Sequence, residues 1–337
     1  MTGVGVLSTG MVSGVGLSAP ASCAAIRCGI SGFEETRFMF DGEWLLGCEV
    51  PLEKPWRGRE KLIRMVMATI EECLAGGGDV QVSDVPLLLC LAEERRPGRL
   101  DGLDESMLQE VQERSGVQFH GWSRVFSAGR VGGVQALEYS RRLLAEGRPA
   151  CLLAGVDSYL VGATLEAYYE DHRLLTPENS NGFIPGEAAA AVLLGPPRAD
   201  TVLSCVGVGF GTEPAPLGSG EPLRADGLVE AYKATLSEAG LDLGEVDYRI
   251  ADVSGEQYGF KEAALALTRV LRHRKEEFDI WHPADCVGEV GAAAVPVMLG
   301  VVRAAQEKGY APGPYAIGHA SMDGQERAAF ILKAGAA

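Results

Sequence analysis

The 337-residue chain is poor in basic residues, with 30 Lys and Arg against 46 Asp and Glu and a formal net charge of −16. A surface this acidic repels phosphate backbones and anionic lipid, which argues against nucleic acid and membrane surfaces as partners. Histidine is scarce, at five residues, and none of the eight cysteines (Cys23, Cys28, Cys48, Cys73, Cys90, Cys151, Cys205 and Cys286) forms a CxxC pair. Without clustered histidine and paired cysteine no zinc site is expected, and no metal or other cofactor is assigned. Most of the cysteines sit in apolar runs such as Leu87-Leu88-Leu89-Cys90-Leu91, as buried reduced thiols of a cytoplasmic protein do. Long hydrophobic runs are also missing. No apolar stretch reaches the length of a membrane helix, and no basic segment precedes Leu17-Ser18-Ala19-Pro20-Ala21-Ser22-Cys23, so neither a transmembrane span nor a signal peptide is expected.

What is abundant is apolar residues, at 47%, and glycine, with 44 residues scattered among the apolar runs. This is the composition of a globular chain with a large core and many tight turns. Val4 to Val12 reads as a strand, and a short helix follows at Pro20 to Cys28. Leu62, Val66, Ile70, Cys73 and Leu74 space an amphipathic helix over Lys61 to Ala75, stopped by Gly76-Gly77-Gly78. Pro86 to Ala92 is a continuous apolar run, as in a strand buried on both faces.

Two later segments share one pattern. Gly129-Arg130-Val131-Gly132 opens a helix to about Ala145, closed by Gly147 and followed by a strand at Ala150 to Ala154. Gly288-Glu289-Val290-Gly291 opens a helix through Met298 and Val301 to Ala305, closed by Gly309 and followed by a strand at Tyr315. Val4-Gly5-Val6-Leu7 is echoed by Val202-Leu203-Ser204-Cys205-Val206 in the same order. An internal duplication follows, with halves at 1–200 and 201–337, and the alternation of buried strands with helices argues an α/β fold.

Several segments together resemble the β-ketoacyl synthases of the thiolase superfamily. Val4 to Val12, followed by Cys28-Gly29-Ile30-Ser31-Gly32, is similar to the family's first strand and its "aGrSGi" segment. Leu143 to Gly147 and Leu152-Leu153-Ala154-Gly155 resemble the helix end and strand after the active-site cysteine. Leu175-Thr176-Pro177 through Asn181-Gly182-Phe183-Ile184-Pro185-Gly186-Glu187-Ala188 resembles the family's "RDGFvlGEGAg" segment, and Ala239-Gly240-Leu241 to Tyr248 the approach to its first catalytic histidine. The resemblance implies the thiolase fold, five α-β-α-β-α layers made from two duplicated halves. It also implies a dimer, formed through the strand corresponding to Ala150 to Asp157.

Condensation chemistry needs a thiolate at a helix N-terminus, two polar partners for the enolate, and N–H donors for the oxyanion. In the register of the resemblance the cysteine falls at Arg130, or by one shift at Gly129; the first histidine falls at Ser254, and the second at or near Asp285. The family lysine has no counterpart in Asp279-Ile280-Trp281-His282-Pro283, and Ser321-Met322-Asp323-Gly324-Gln325-Glu326 replaces the terminal "GFGG-x-N". No catalytic residue is therefore expected at the family positions Arg130, Ser254, Asp285 and Met322. Arg130 has two readings: an internal pair with Glu289, Asp285 or Asp323, or a site for an anionic ligand lined also by Ser127 and Cys286. A relocated Cys–His or Ser–His site built from Cys286, Ser127, His282 or His319 would make the chain an acyltransferase or hydrolase. Glu187 is read as structural. Gly207-Val208-Gly209-Phe210-Gly211 is not a nucleotide fingerprint, because prolines rather than a helix follow it. A helix from Gly259 to His273 carries basic residues at its end, a dipole match on a solvated face.

The function expected first is that of an inactive scaffold or adaptor working as a homodimer or heterodimer. Its partner would be a ketosynthase subunit, as for chain-length factors, an acyl carrier protein, or a type VI secretion effector. An enzyme with relocated chemistry and an anion-binding module using Arg130 are the alternatives.

Overall fold

The computed structural model describes residues 3–78 and 80–335. The first half runs β1 (Val4–Ser13), α1 (Ala19–Arg27), the hairpin β2 (Glu34–Phe40) and β3 (Glu43–Gly47), then α2 (Gly58–Ala75) and β4 (Leu87–Cys90). It continues through α3 (Glu105–Ser115), β5 (Arg124–Phe126), α4 (Gly129–Ala145), β6 (Cys151–Ser158), α5 (Gly162–Glu170) and β7 (Glu187–Gly195). The second half is β8 (Leu203–Thr212), α6 (Asp226–Ala239), β9 (Tyr248–Ala251), α7 (Gln257–Val270) and β10 (Ile280–Trp281). It closes with α8 (Ala284–Val287), α9 (Ala294–Lys308), β11 (Tyr315–Ser321) and β12 (Glu326–Ala334).

Local chemistry sets the helix ends. Ser18 caps α1 by accepting from the Ala21 N–H at 3.3 Å, and Asp104 caps α3 by accepting from the Ser106 N–H at 2.9 Å. Gly116, Gly240 and Gly309 end α3, α6 and α9 in the left-handed region, at φ of +66°, +68° and +70°, where a side chain is strained.

The strands join in the order β10-β9-β11-β12-β8-β1-β7-β6-β4-β5. Read outward from its centre, the order is the same in both directions: first strand, antiparallel last strand, antiparallel third, then two parallel strands. The halves meet where Val4 and Gly5 pair with Cys205 and Ser204. Side chains of β4 alternate across it. Leu87 and Leu89 pack with α2 and α3, while Leu88 and Cys90 face the opposite cluster, which explains a strand apolar at every position. That second cluster joins Val134 and Leu137 of α4 and Val295 and Met298 of α9 to both halves of the ten-stranded sheet. Leu228 and Tyr232 of α6 cover the far face of its second half. The layers are therefore α2/α3, the strands β1-β7-β6-β4-β5, α4/α9, the strands β8-β12-β11-β9-β10, and α6/α7, the five-layered thiolase arrangement.

One expectation is corrected. The segment Ala150 to Asp157 cannot offer an edge for dimer contact, because β6 is hydrogen-bonded to β4 on one side and β7 on the other. The outer strand of that half is β5. The segment Gly76-Gly77-Gly78 does end α2, but α7 stops at Val270, short of the expected His273; Arg272, His273 and Arg274 are exposed beyond it, and Lys275 is half-buried, its Nζ donating to the Gly244 carbonyl at 3.1 Å. Among the described residues no helix is long and apolar enough to cross a membrane.

Candidate functional site

The start of α4 points at three segments of the second half: the loop after β9, the loop after α8, and the turn joining β11 to β12. Gly129 opens the helix with φ +51°, and a Cβ there would lie 2.3 Å from Glu93 Oε2 and 3.1 Å from Met322 Cε. A side chain there would strain the backbone and displace the ends of the Glu93 and Met322 side chains.

Arg130 comes next, with its side chain 12% exposed. Its Nη1 donates to Glu289 Oε2 at 3.1 Å, its Nη2 pairs with Asp323, and its Nε lies 3.8 Å from Asp252 Oδ2. A guanidinium at the positive end of a helix is unfavourable on its own. The carboxylates around it, with Glu93 beside Gly129, reverse that balance. Burial disfavours the charge on Arg130, but Glu289 and Asp323 outweigh it and hold its pKa above the usual arginine range.

The acids are held in turn. Ser254 Oγ donates to Glu289 Oε2 at 2.7 Å, and the Gly291 N–H donates to Glu289 Oε1 at 2.9 Å. Asp252 Oδ2 accepts from the Ser321 N–H at 2.7 Å. Arg173 binds Asp323 Oδ2 at 2.6 Å and both oxygens of Glu256 at 2.9 and 2.7 Å. Burial opposes the charge of Asp323, yet Arg130 and Arg173 hold its pKa well below the usual carboxylate range. On the other flank Arg96 bridges Glu93 at 2.7 Å and Asp157 at 2.8 Å, and stacks over the Tyr159 ring.

Six carboxylates thus face only the three arginines 96, 130 and 173. Two of the buried acids, Asp252 and Asp157, are shifted toward the protonated form. Burial pushes Asp252 up to about 7 despite Arg130, and Asp157 also upward despite Arg96. The cavity left beside Arg130, Asp252, Ser254 and Met322 has about 40 Å³, room for a few waters and not for an acyl chain.

The structure separates the remaining candidates. Asp285 does not reach Arg130; its side chain is 69% exposed and its carboxylate lies 2.8 Å from His282 Nδ1. The reason is geometric: α8 and Gly288 turn the chain, so Glu289 and not Asp285 enters the site. Ser127 faces away, toward Arg99 Nη2 at 3.3 Å and the Leu103 carbonyl at 3.4 Å. Cys286 lies near the Ile26 carbonyl at 3.9 Å, its thiol pKa raised by burial and then by Asp285, the opposite of an activated thiol. His319 is buried against Tyr232 Oη at 2.9 Å, and burial, then Arg249 and Arg327, lowers its pKa to about 3. Met322 closes the cavity with a thioether. Glu187 accepts from the Val50 N–H at 2.8 Å and from Ser158 Oγ at 2.8 Å, and pairs with Lys61.

No family model matches the chain. It is 29% identical over 206 residues to the actinorhodin polyketide putative β-ketoacyl synthase 2 of Streptomyces coelicolor (strain ATCC BAA-471 / A3(2) / M145), covering 56% of this chain. The chain spans about half, 49%, of the length of that curated relative. A chain of AntDE:AntF, a type II PKS acyl-carrier protein in complex with its ketosynthase, superposes with a TM-score of 0.80 at 15% identity, over 99% of each chain. The chain has the thiolase fold of this ketosynthase complex and is similar in sequence to a β-ketoacyl synthase over part of its length. The ishigamide ketosynthase/chain length factor matches at TM-score 0.71 and 17% identity, again over 99% of each chain. So does a chain of the ketosynthase ApeO in complex with its chain length factor ApeC from Xenorhabdus doucetiae, at 0.75 and 13%, over 99% and 98%.

The residues that sequence reasoning missed are Asp252, Arg173, Glu256 and the Glu93–Arg96–Asp157 group. Asp252 had one visible signal: it is the first polar residue after the buried strand Tyr248–Ala251. The other residues carry no local pattern.

Proposed function

We propose that the chain is a non-condensing, chain-length-factor-like partner of a ketosynthase, with protein association rather than bond formation as its role. The observation that carries this reading is the start of α4. Gly129 has no side chain to acylate, and Arg130 is tied to Glu289 and Asp323 of the opposite half. An anionic ligand would have to displace those carboxylates, so the arrangement favours a structural ion-pair network over an anion site. The complexes named for its structural relatives, a ketosynthase with its chain length factor among them, make a heterodimer the assembly to test. The free edge β5 is the contact we favour, with Trp122, 42% exposed, close by in the chain.

The test is co-expression with a type II polyketide ketosynthase, followed by size exclusion with light scattering and by intact-mass measurement after incubation with acyl-CoA donors. A one-to-one complex in which this chain keeps its unmodified mass is expected. A covalent acyl adduct on this chain would return it to the enzymes, and failure to associate with ketosynthases would remove the partner role.

A further inference from the structure

We propose that the outer edge of β3 is a docking strand for an extended, lysine- or arginine-flanked segment of a partner protein, which adds to the hairpin as a third strand. The hairpin is a separate two-stranded sheet in which β2 occupies one side of β3; on the other side, among the described residues, only Cys48, the residue after β3, is bridged, to Gly186, which leaves the edge at Trp44 and Leu46 unpaired. Beside β3 lies a groove of about 660 Å³, lined by four consecutive β3 residues from Glu43 to Leu46 and, across from them, by Tyr169 and the segment Leu175 to Glu178. An unpaired strand edge next to an open channel is the geometry of strand addition.

The walls give the chemistry of the occupant. Trp44 and Leu46 are 48% and 40% exposed, and Met39, paired across the hairpin with Trp44, is 48% exposed. Among the described residues, three of the eight large exposed hydrophobic side chains therefore fall on this one hairpin. Leu175 and Pro177 extend the apolar wall, while Glu35, Asp41, Glu43 and Glu178 rim it with carboxylates. Alternate residues of an added strand would rest on the apolar wall, and cationic ends would meet the rim. A second copy of this chain would bring the same carboxylates to its own groove, so like charges oppose self-association here.

The edge is built rather than loose. Phe40 stacks on Tyr169 with ring centroids 4.5 Å apart, Tyr169 Oη donates to Asp41 Oδ2 at 2.6 Å, and Thr36 Oγ1 donates to the Leu45 carbonyl at 2.8 Å. Beneath it Leu45 packs with Tyr159, Tyr168 and Phe183. A preformed strand loses little conformational freedom when a partner binds. The groove shares no lining residue with the cavity at Arg130.

The probe is a fluorescein-labelled peptide of alternating valine and threonine with two lysines at each end, followed by fluorescence anisotropy with the full chain. Saturable binding is expected. It should weaken at least tenfold in Trp44→Ala, in the double variant Glu43→Lys with Glu178→Lys, and when alternate peptide amides are N-methylated. Thermal midpoints of the variants, all altered at the surface, control for folding. No saturable binding at millimolar peptide, equal binding of a glutamate-flanked peptide, or equal binding of the N-methylated peptide would each overturn the proposal. So would a wild-type dimer that Leu46→Lys dissociates, since the groove would then belong to a second copy.

Discussion

Asp252 carries an ionisation that works against the native state above neutral pH. Its folded pKa, raised to about 7 chiefly by burial, stands above the value of about 3.9 for an aspartate in the unfolded chain. Between those values the folded protein holds a proton that the unfolded chain has released, so its stability falls as pH rises through the window. Asp323 acts in the opposite sense. Its depressed pKa stabilises the fold above the unfolded value, and that contribution is lost as pH falls toward the folded one. The two ionisations act in different pH ranges and separate experimentally. Asp252→Asn keeps an oxygen for the Ser321 N–H and removes the charge. Urea unfolding at pH 5 and pH 8 should show the wild type losing about 2 kcal/mol more than the variant over this interval. Equal losses in the two proteins would mean that Asp252 does not bind its proton in the folded state.

At the scale of elements, each half uses glycine to bring its first strand against its first long helix. A Cβ on Gly10 of β1 would lie 2.1 Å from the Thr69 carbonyl of α2, and one on Gly209 of β8 would lie 2.3 Å from the Ala231 carbonyl of α6. These are contacts with backbone, which cannot swing aside as a side chain does, so the helix itself must retreat. Gly10→Ala and Gly209→Ala should each cost ~1–3 kcal/mol and lower the thermal midpoint by several degrees. Gly244→Ala, where a Cβ meets nothing within 4 Å, is the control that should leave the midpoint in place. A midpoint unchanged in all three would show that the layers are loose enough to absorb a methyl group. The hairpin β2-β3 follows a different logic. Its outer face carries Met39, Trp44 and Leu46, which blurs the inside-outside alternation that marks a strand.

The whole molecule is held by a layer that belongs to both halves. Helices α4 and α9 pack together between the two halves of the ten-stranded sheet so closely that a Cβ on Gly133 would meet Val295 Cβ at 2.5 Å. Ion pairs cross the same boundary, from Arg141 to Glu238 at 2.6 Å and from Arg130 to Glu289 at 3.1 Å. A fragment ending near residue 200 would expose one face of this layer and leave Arg130 without its acids. Residues 1–200 and 201–337 made separately should each lack a cooperative thermal transition and bind a hydrophobic dye, while the full chain unfolds in one transition. Two independently folding fragments would place the shared layer second to each half's own core.

Periodicity and helix ends are local properties, and they were legible. The uninterrupted apolar run at Leu87–Cys90, the glycines after α2, α4 and α9, and the helix start at Gly129 all express constraints within a few residues of one another, whereas Gly288 ends α8 and α9 begins only at Ala294. These local signals carried the α/β class and, with the segment around Gly182 to Ala188, the resemblance to β-ketoacyl synthases. Strand order and charge pairing are not local. Glu289 and Asp323 lie 159 and 193 positions from Arg130, and which acids arrive there depends on how α8 and the turn after β11 direct the chain. The same holds for β6, whose sequence suits an edge or a centre alike until two neighbours are hydrogen-bonded to it. The amino-acid sequence by itself determined the layers' building blocks and the absence of a thiol at Gly129 and Arg130. Only the tertiary structure decided which charges meet in the closed site and which strand edges are left free, because those are contacts between segments whose separation along the chain carries no signal.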